Sequence, residues 1–170
     1  IMTNRGFALG TSGIWCKRTP FDRSRIGSYD VGTNGHITAR AVHGLDDLAA
    51  AMNAHRRLTG INNVVAVSGE VAALEVTADS ANLLDRGKDM VIRTNHYLTP
   101  AFKSLSPTPE ENASSFHRFK RITEMLPQAS TPEDFWHIAQ DHQGYPQNSV
   151  CRHKTDEPRP SCTSYASVFD

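Results

Sequence analysis

Near the start of the chain, small and apolar residues alternate over Gly6-Phe7-Ala8-Leu9-Gly10-Thr11-Ser12-Gly13-Ile14-Trp15. That pattern predicts a strand, with Asn4-Arg5-Gly6 as the turn before it. Residues 16–42 are polar, Gly-rich and without period, so they read as a long loop. Leu45, Leu48, Ala49 and Met52 then fall at i, i+3, i+4 and i+7. One helical face follows from that spacing, and a helix is expected from Leu45 to about Leu58. Asp46 and Asp47 suit its start, Arg56 and Arg57 its last turn, and Gly60 its stop.

Two β-branched runs come next, Asn63 to Val67 and Val71 to Thr77, around Ser68-Gly69-Glu70. They read as a hairpin. Asp85-Arg86-Gly87-Lys88 reads as a further turn, leading into a third strand from Met90 to Tyr97. The Pro-rich stretch from Thr99 to Asn112 is a loop. Ser114-Ser115 opens a second helix with Phe116, Phe119, Ile122 and Leu126 inward, and Pro127 ends it. Thr131-Pro132-Glu133-Asp134 starts a third, with an N-cap, Pro at the first helical position and acids in the first turn. It carries Phe135, Trp136, Ile138 and Ala139, and Gly144 and Pro146 close it. Residues 161–170 read as a final strand. Hairpin-joined strands with helices in a block indicate an α+β fold.

Length and composition narrow the class. A chain of 170 residues has the length of one domain, and 38% hydrophobic with 21% charged residues is globular composition. Eighteen basic residues balance eighteen acidic ones, so no dedicated nucleic-acid binder is expected. No apolar run is long enough for a membrane span, and no signal peptide is visible. Cys16, Cys151 and Cys162 form no disulfide framework, although a Cys151–Cys162 pair stays open. Reduced thiols would fit a cytoplasmic or organellar protein. The chain starts at Ile1 and stops at Asp170 inside a strand-like run, so both ends read as cut from something longer.

A family resemblance sharpens this picture. Arg93-Thr94-Asn95-His96-Tyr97-Leu98 resembles the Thr-Asn-His-aromatic motif of penicillin acyltransferase-type cysteine Ntn (N-terminal-nucleophile) hydrolases. Met2 to Ala8 resembles a family strand with the pattern Gly-Met-Asn-x-x-Gly-Leu-Ala. The run from Asn62 through Thr77 is similar to the family's central hairpin. Ser114-Ser115-x-x-Arg118 resembles the helix start after the Thr-Asn-His strand. Asp141-His142-x-Gly144 and Ser149-Val150-Cys151-Arg152-His153 resemble a late segment of the family, before the small-residue run Cys162 to Val168. These pieces come in family order and span nearly the whole chain.

The resemblance implies a four-layer αββα sandwich, a self-cleaved precursor and amide or acyl-transfer chemistry on a small amide or thioester substrate. It also implies an N-terminal Cys nucleophile on a strand before Met2. Ile1 has no nucleophilic atom, so the thiol is expected from a partner segment or subunit outside this chain. On this reading residues 1–170 are the C-terminal part of one domain, and no cofactor is required.

Acyl transfer through a thiol needs oxyanion donors and a group that fixes the substrate, while a free α-amine can deprotonate its own side chain. Asn95 is the candidate oxyanion donor. His96 alternates with it and should face the other way, in a supporting structural role. Arg118 and Arg152 are candidates to hold a carboxylate or order the amine, because a guanidinium is a planar, permanently charged fork. Glu75 is expected to be paired or at an edge, without a role. Catalysis by Cys16 or Cys151 is disfavoured, since a free Cys is usually a small buried hydrophobe. His137, His142, Cys151 and His153 could ligate zinc but match no standard spacing, so no metal is expected. Two other readings remain open: a non-catalytic binding or assembly module on the same scaffold, and an unrelated zinc- or thiol-dependent enzyme.

Overall fold

The computed structural model describes residues 2–3, 6–14, 43–55, 57, 59–156, 162–163 and 166. The loop expected over 16–42 lies outside them, as does nearly all of the strand expected over 161–170. Two compact units divide the chain, Ile1–Pro107 and Thr108–Asp170. Strands and helices together make this a mixed, α+β type of structure. Among the described residues no helix is long and apolar enough to cross a membrane.

Among the described residues the first unit forms an antiparallel meander of five strands in sequence order: β1 (Met2–Thr3), β2 (Phe7–Gly13), β3 (Ile61–Val67), β4 (Glu70–Val76) and β5 (Ala81–Leu84). The expected hairpin is β3 and β4. Its two-residue turn, Ser68-Gly69, has φ of 51° and 84°. Positive φ at both positions matches the twist of the flanking strands, and it explains a glycine there. Of the turn expected before β2, Gly6 has φ 72°, and Asn4 and Arg5 lie outside the described residues.

Register separates the two faces of the sheet. Leu9 pairs with Val65 and Val65 with Ala72; Phe7 pairs with Val67; Asn63 pairs with Leu74. The apolar members of this face pack against α1 (Leu45–Asn53) through Leu45, Leu48 and Met52, all but inaccessible to solvent. Full burial of each of these leucines contributes about 1.5–3 kcal/mol.

Helix α1 stops five residues before the expected end at Leu58. Arg57 is not in its last turn. It is fully buried beyond the helix, with Nη1 donating to the carbonyls of Met52 and His55 and Nε to Thr77 O at 3.0 Å. A buried cation that caps the last carbonyls satisfies groups a longer helix would have bonded itself.

A second departure concerns residues 90–97, which form no strand. The outer position beside β4 belongs to Ala81–Leu84, and the backbone of 94–99 takes its partners from side chains instead of a ladder. The reason lies on the second face of the sheet.

In the second unit, α2 (Ala113–Met125) is followed by a 3-10 turn (Leu126–Gln128) and α3 (Pro132–Ala139). Asn112 caps α2 through Ser115 N. Thr131 and Asp134 form a reciprocal capping box on α3. Phe116, Phe119 and Ile122 are half-buried, and Leu126 is buried. Ile138 is the buried residue of α3, whereas Phe135 and Trp136 stay exposed. Helix α3 ends at Ala139, ahead of the stop expected from Gly144 and Pro146.

Candidate functional site

A row of polar side chains crosses the second face of the sheet. Ser12 pairs with Asn62, Asn62 with Glu75, and Glu75 with Asn82, so the four lie on one line across β2 to β5. In the same order they bind the segment 94–99. Ser12 Oγ donates to Thr94 O at 2.7 Å. Asn62 Nδ2 donates to Thr94 O at 2.9 Å and His96 O at 2.7 Å. Glu75 accepts from Leu98 N and Thr99 N, both at 2.8 Å, and Asn82 Nδ2 donates to Thr99 Oγ1 at 3.3 Å. A buried backbone without ladder partners must be satisfied some other way. Here Ser12, Asn62 and Glu75 bond the backbone, and Asn82 holds the Thr99 hydroxyl.

Glu75 has no exposed surface, and neither has Asn62. The Glu75 carboxylate also meets Arg93 Nε at 3.1 Å, and Arg93 Nη2 reaches Asp85 Oδ2 at 2.8 Å. Burial by itself would raise the Asp85 carboxyl, but hydrogen bonds from Lys88 and Arg93 outweigh it, so Asp85 titrates below the ordinary carboxylate range. Glu75 is thus paired, as expected, and it is also a positioning residue that sequence reasoning left without a role. Nothing in its local sequence reveals this, because its partners lie across strand register and 23 residues further along the chain.

On the tied segment Asn95 and His96 differ in burial. His96 is buried, its Nδ1 3.2 Å from Thr94 Oγ1. Tyr97 is buried too, donating from its hydroxyl to Val76 O at 2.7 Å and stacking edge-on against Phe102. Asn95 is half-exposed at the rim, and its Nδ2 donates to Gly13 O at the end of β2 at 2.6 Å. Among the described residues β1 pairs only with Phe7 and Ala8, so no further strand lies along Gly10–Gly13 on that side.

In the second unit Arg118 and Arg152 come together, although 34 positions separate them in the sequence. Burial first, and the charge of Arg152 second, push the Arg118 guanidinium down to about 10. Its Nε donates to Ser114 Oγ at 3.3 Å, and Ser114 Oγ donates to Gln147 O at 2.6 Å. Thr163 holds Arg152 from both sides of its peptide: Arg152 N donates to Thr163 Oγ1 at 3.0 Å, and Thr163 N to Arg152 O at 3.1 Å. Two guanidinium groups that feel each other's charge in a partly buried setting favour an anion.

The loop after α3 is cross-linked as well. Arg121 Nη2 meets Asp141 Oδ1 at 2.7 Å, and Cys151 N donates to Asp141 O at 3.0 Å. Gly144 has φ 93°, and a Cβ there would lie 3.0 Å from the Asn148 carbonyl carbon. This loop gathers His142, Cys151 and His153 but not His137. Cys151 and Cys162 are both free thiols, so the disulfide left open above is not formed. Cys16 lies outside the described residues.

The comparisons with known proteins agree with the motif reading. Residues 24–170 match the family described as Acyl-coenzyme A:6-aminopenicillanic acid acyl-transferase. The match includes the Thr-Asn-His segment, the hairpin, the helix start with Arg118 and the late segment with Arg152, while Met2 to Ala8 lies outside it. No curated protein matches the chain significantly. With most of its length matched, the chain belongs to the acyl-coenzyme A:6-aminopenicillanic acid acyl-transferase family, whose family-level function is acyl transfer of the Ntn-hydrolase-like kind.

Proposed function

We propose that these residues form the larger part of a cysteine Ntn-type acyltransferase or amide hydrolase acting on a small N-acyl amide. In this reading the 170 residues belong to one domain, a four-layer αββα sandwich completed by a nucleophile-bearing strand outside them. Self-cleavage of a precursor frees the N-terminal Cys of that strand, and the cleaved parts stay together as a heterodimer.

The observation that carries the reading is the placement of Asn95. It stands at the sheet rim beside Gly13, on a segment that four side chains fasten from below. An amide on a rigid support is what an oxyanion donor requires, because stabilisation depends on a dipole that need not reorganise. Among the described residues the edge at Gly10–Gly13 is unextended, and it offers backbone groups to an incoming strand next to that amide.

The chemistry follows from those parts. The free α-amine takes the proton of its own Cys thiol, and the thiolate attacks the amide carbonyl carbon. Negative charge builds on the carbonyl oxygen, towards which Asn95 donates. The C–N bond breaks, and the amine leaves with the proton held by the α-amine. Water or an acceptor amine then displaces the thiol from the acyl-enzyme. In the second unit, Arg118 and Arg152 are the proposed groups to anchor a carboxylate or to order the amine.

Mass spectrometry of the complete protein after brief exposure to an acylating thiol-directed probe tests this. The expected product is a single acyl group on an N-terminal Cys of the companion segment. Absence of any acylated N-terminal Cys would refute the reading and favour a scaffold kept for binding or assembly.

A further inference from the structure

Three side chains outside the acyl-transfer reading converge on one point. The ligand atoms of His142, Cys151 and His153 all lie within 4.8 Å of one another, and the two Nε2 atoms are 2.9 Å apart. In a tetrahedral zinc site, bonds of about 2.05 Å to N and 2.3 Å to S place N···N at about 3.3 Å and N···S at about 3.6 Å. To reach that geometry the imidazole pair, now 2.9 Å apart, opens slightly, and the thiol, within 4.8 Å of both rings, closes on the ion.

The surrounding backbone holds these residues in place without the help of an ion. His153 N donates to Pro146 O at 2.9 Å, Gln147 Nε2 to His153 O at 2.5 Å, and Ser149 Oγ to Cys151 O at 2.5 Å. Cys151 N is fixed to Asp141 O, next to His142. The Tyr145 ring stacks on His153 at 5.1 Å. Both histidines are solvent-exposed and the cysteine is half-buried, so an ion could enter from solution. Two exposed imidazoles that merely face each other in water gain little and lose rotamer freedom. With a thiol aimed at the same point, the set matches the preference of a borderline-soft divalent ion.

We propose that His142 Nε2, Cys151 Sγ and His153 Nε2 bind a zinc-type divalent ion, with water in the fourth position. On binding, the thiol proton leaves to solvent, and the proton between the two imidazoles is exchanged to Nδ1 of its ring, so both neutral imidazoles present an Nε2 lone pair to the ion. The ion joins the loop after α3 to the segment carrying Arg152. It takes no part in the thiol chemistry above, and neither proposal depends on the other.

The test loads the full protein with Co²⁺ or Zn²⁺, removes excess metal by gel filtration, and reads elemental content and the near-ultraviolet thiolate-to-cobalt band. Stoichiometric metal with that band is expected. Cys151→Ser should abolish the band, and His153→Gln should weaken binding at least about tenfold. Cys162→Ser, a free thiol outside the cluster, should change nothing. Far-ultraviolet circular dichroism confirms that each variant is folded. Failure of the folded wild type to retain metal, or retention by a variant lacking all three side chains, overturns the proposal.

Discussion

Replacing Glu75 by Gln tests how the Thr-Asn-His segment is fastened. The carboxylate accepts two backbone N–H groups, from Leu98 and Thr99, and faces Arg93 in a fully buried position. Glutamine keeps the shape but turns one oxygen into an NH₂. That group meets either Leu98 N–H or Thr99 N–H donor to donor, which orphans a buried donor at about 1–3 kcal/mol. The other bond loses its charge assistance, about 1 kcal/mol more. Arg93 keeps Asp85 as a counter-charge, so its loss stays below the 3–5 kcal/mol typical of a stranded buried ion. The first two terms alone come to about 2–4 kcal/mol, a large part of the stability of an ordinary domain.

Urea unfolding gives the total, and amide hydrogen exchange shows where it falls. Protection at Leu98 and Thr99 should drop more than protection within β3 and β4, because the sheet ladder itself is untouched. Glu70→Gln, which removes an exposed carboxylate from the same strand, should cost no more than about 0.5 kcal/mol. A Glu75→Gln change below about 1 kcal/mol, with Leu98 and Thr99 still protected, would refute the idea that this side chain fastens the segment.

Further outcomes follow from the second unit. Gly144→Ala should destabilise by about 1–3 kcal/mol in thermal or urea unfolding, since φ 93° disfavours an L side chain and the new Cβ would press on the Asn148 carbonyl. Backbone N–H groups of Ser130 and Thr131 hold Asp134 down to about 2, below the ordinary 3.8. Because the folded value is the lower one, its contribution is complete above about pH 4 and lost as pH falls towards 2. An acid titration should therefore show α3 fraying in that window, and Thr131→Ala should reduce the effect. Arg152→Gln removes a neighbouring charge, so the Arg118 guanidinium should titrate above its present value of about 10 by NMR.

Much of the fold was legible because local signals agreed. The β3–β4 hairpin joins two β-branched runs through Ser68-Gly69, and α3 announces itself by Thr131-Pro132-Glu133-Asp134. Helix α1 showed its face but not its end, since Arg57 caps it from beyond Asn53. Residues 90–97 carry Val91 and Ile92 and read as a strand. Whether such a run joins a ladder depends on what the sheet presents to it, and here Ser12, Asn62 and Glu75 take the backbone groups first. Strand β5, Ala-Asn-Leu-Leu, lacks β-branched residues and was missed. Asn95, Arg118 and Arg152 were chosen as candidates through motif resemblance, not through local pattern. The cluster of His142, Cys151 and His153 was passed over because its spacing fits no standard ligand pattern, and it forms only when backbone bonds fold the loop after α3 back on itself.

The most direct measurement is the turnover number of Asn95→Ala in the complete protein bearing its nucleophile segment. Losing an oxyanion donor should lower kcat by about 10²–10³, with KM and the unfolding midpoint little changed, because the loss falls on the transition state. A kcat equal to that of the unaltered protein would contradict the assignment of Asn95 to the reacting centre.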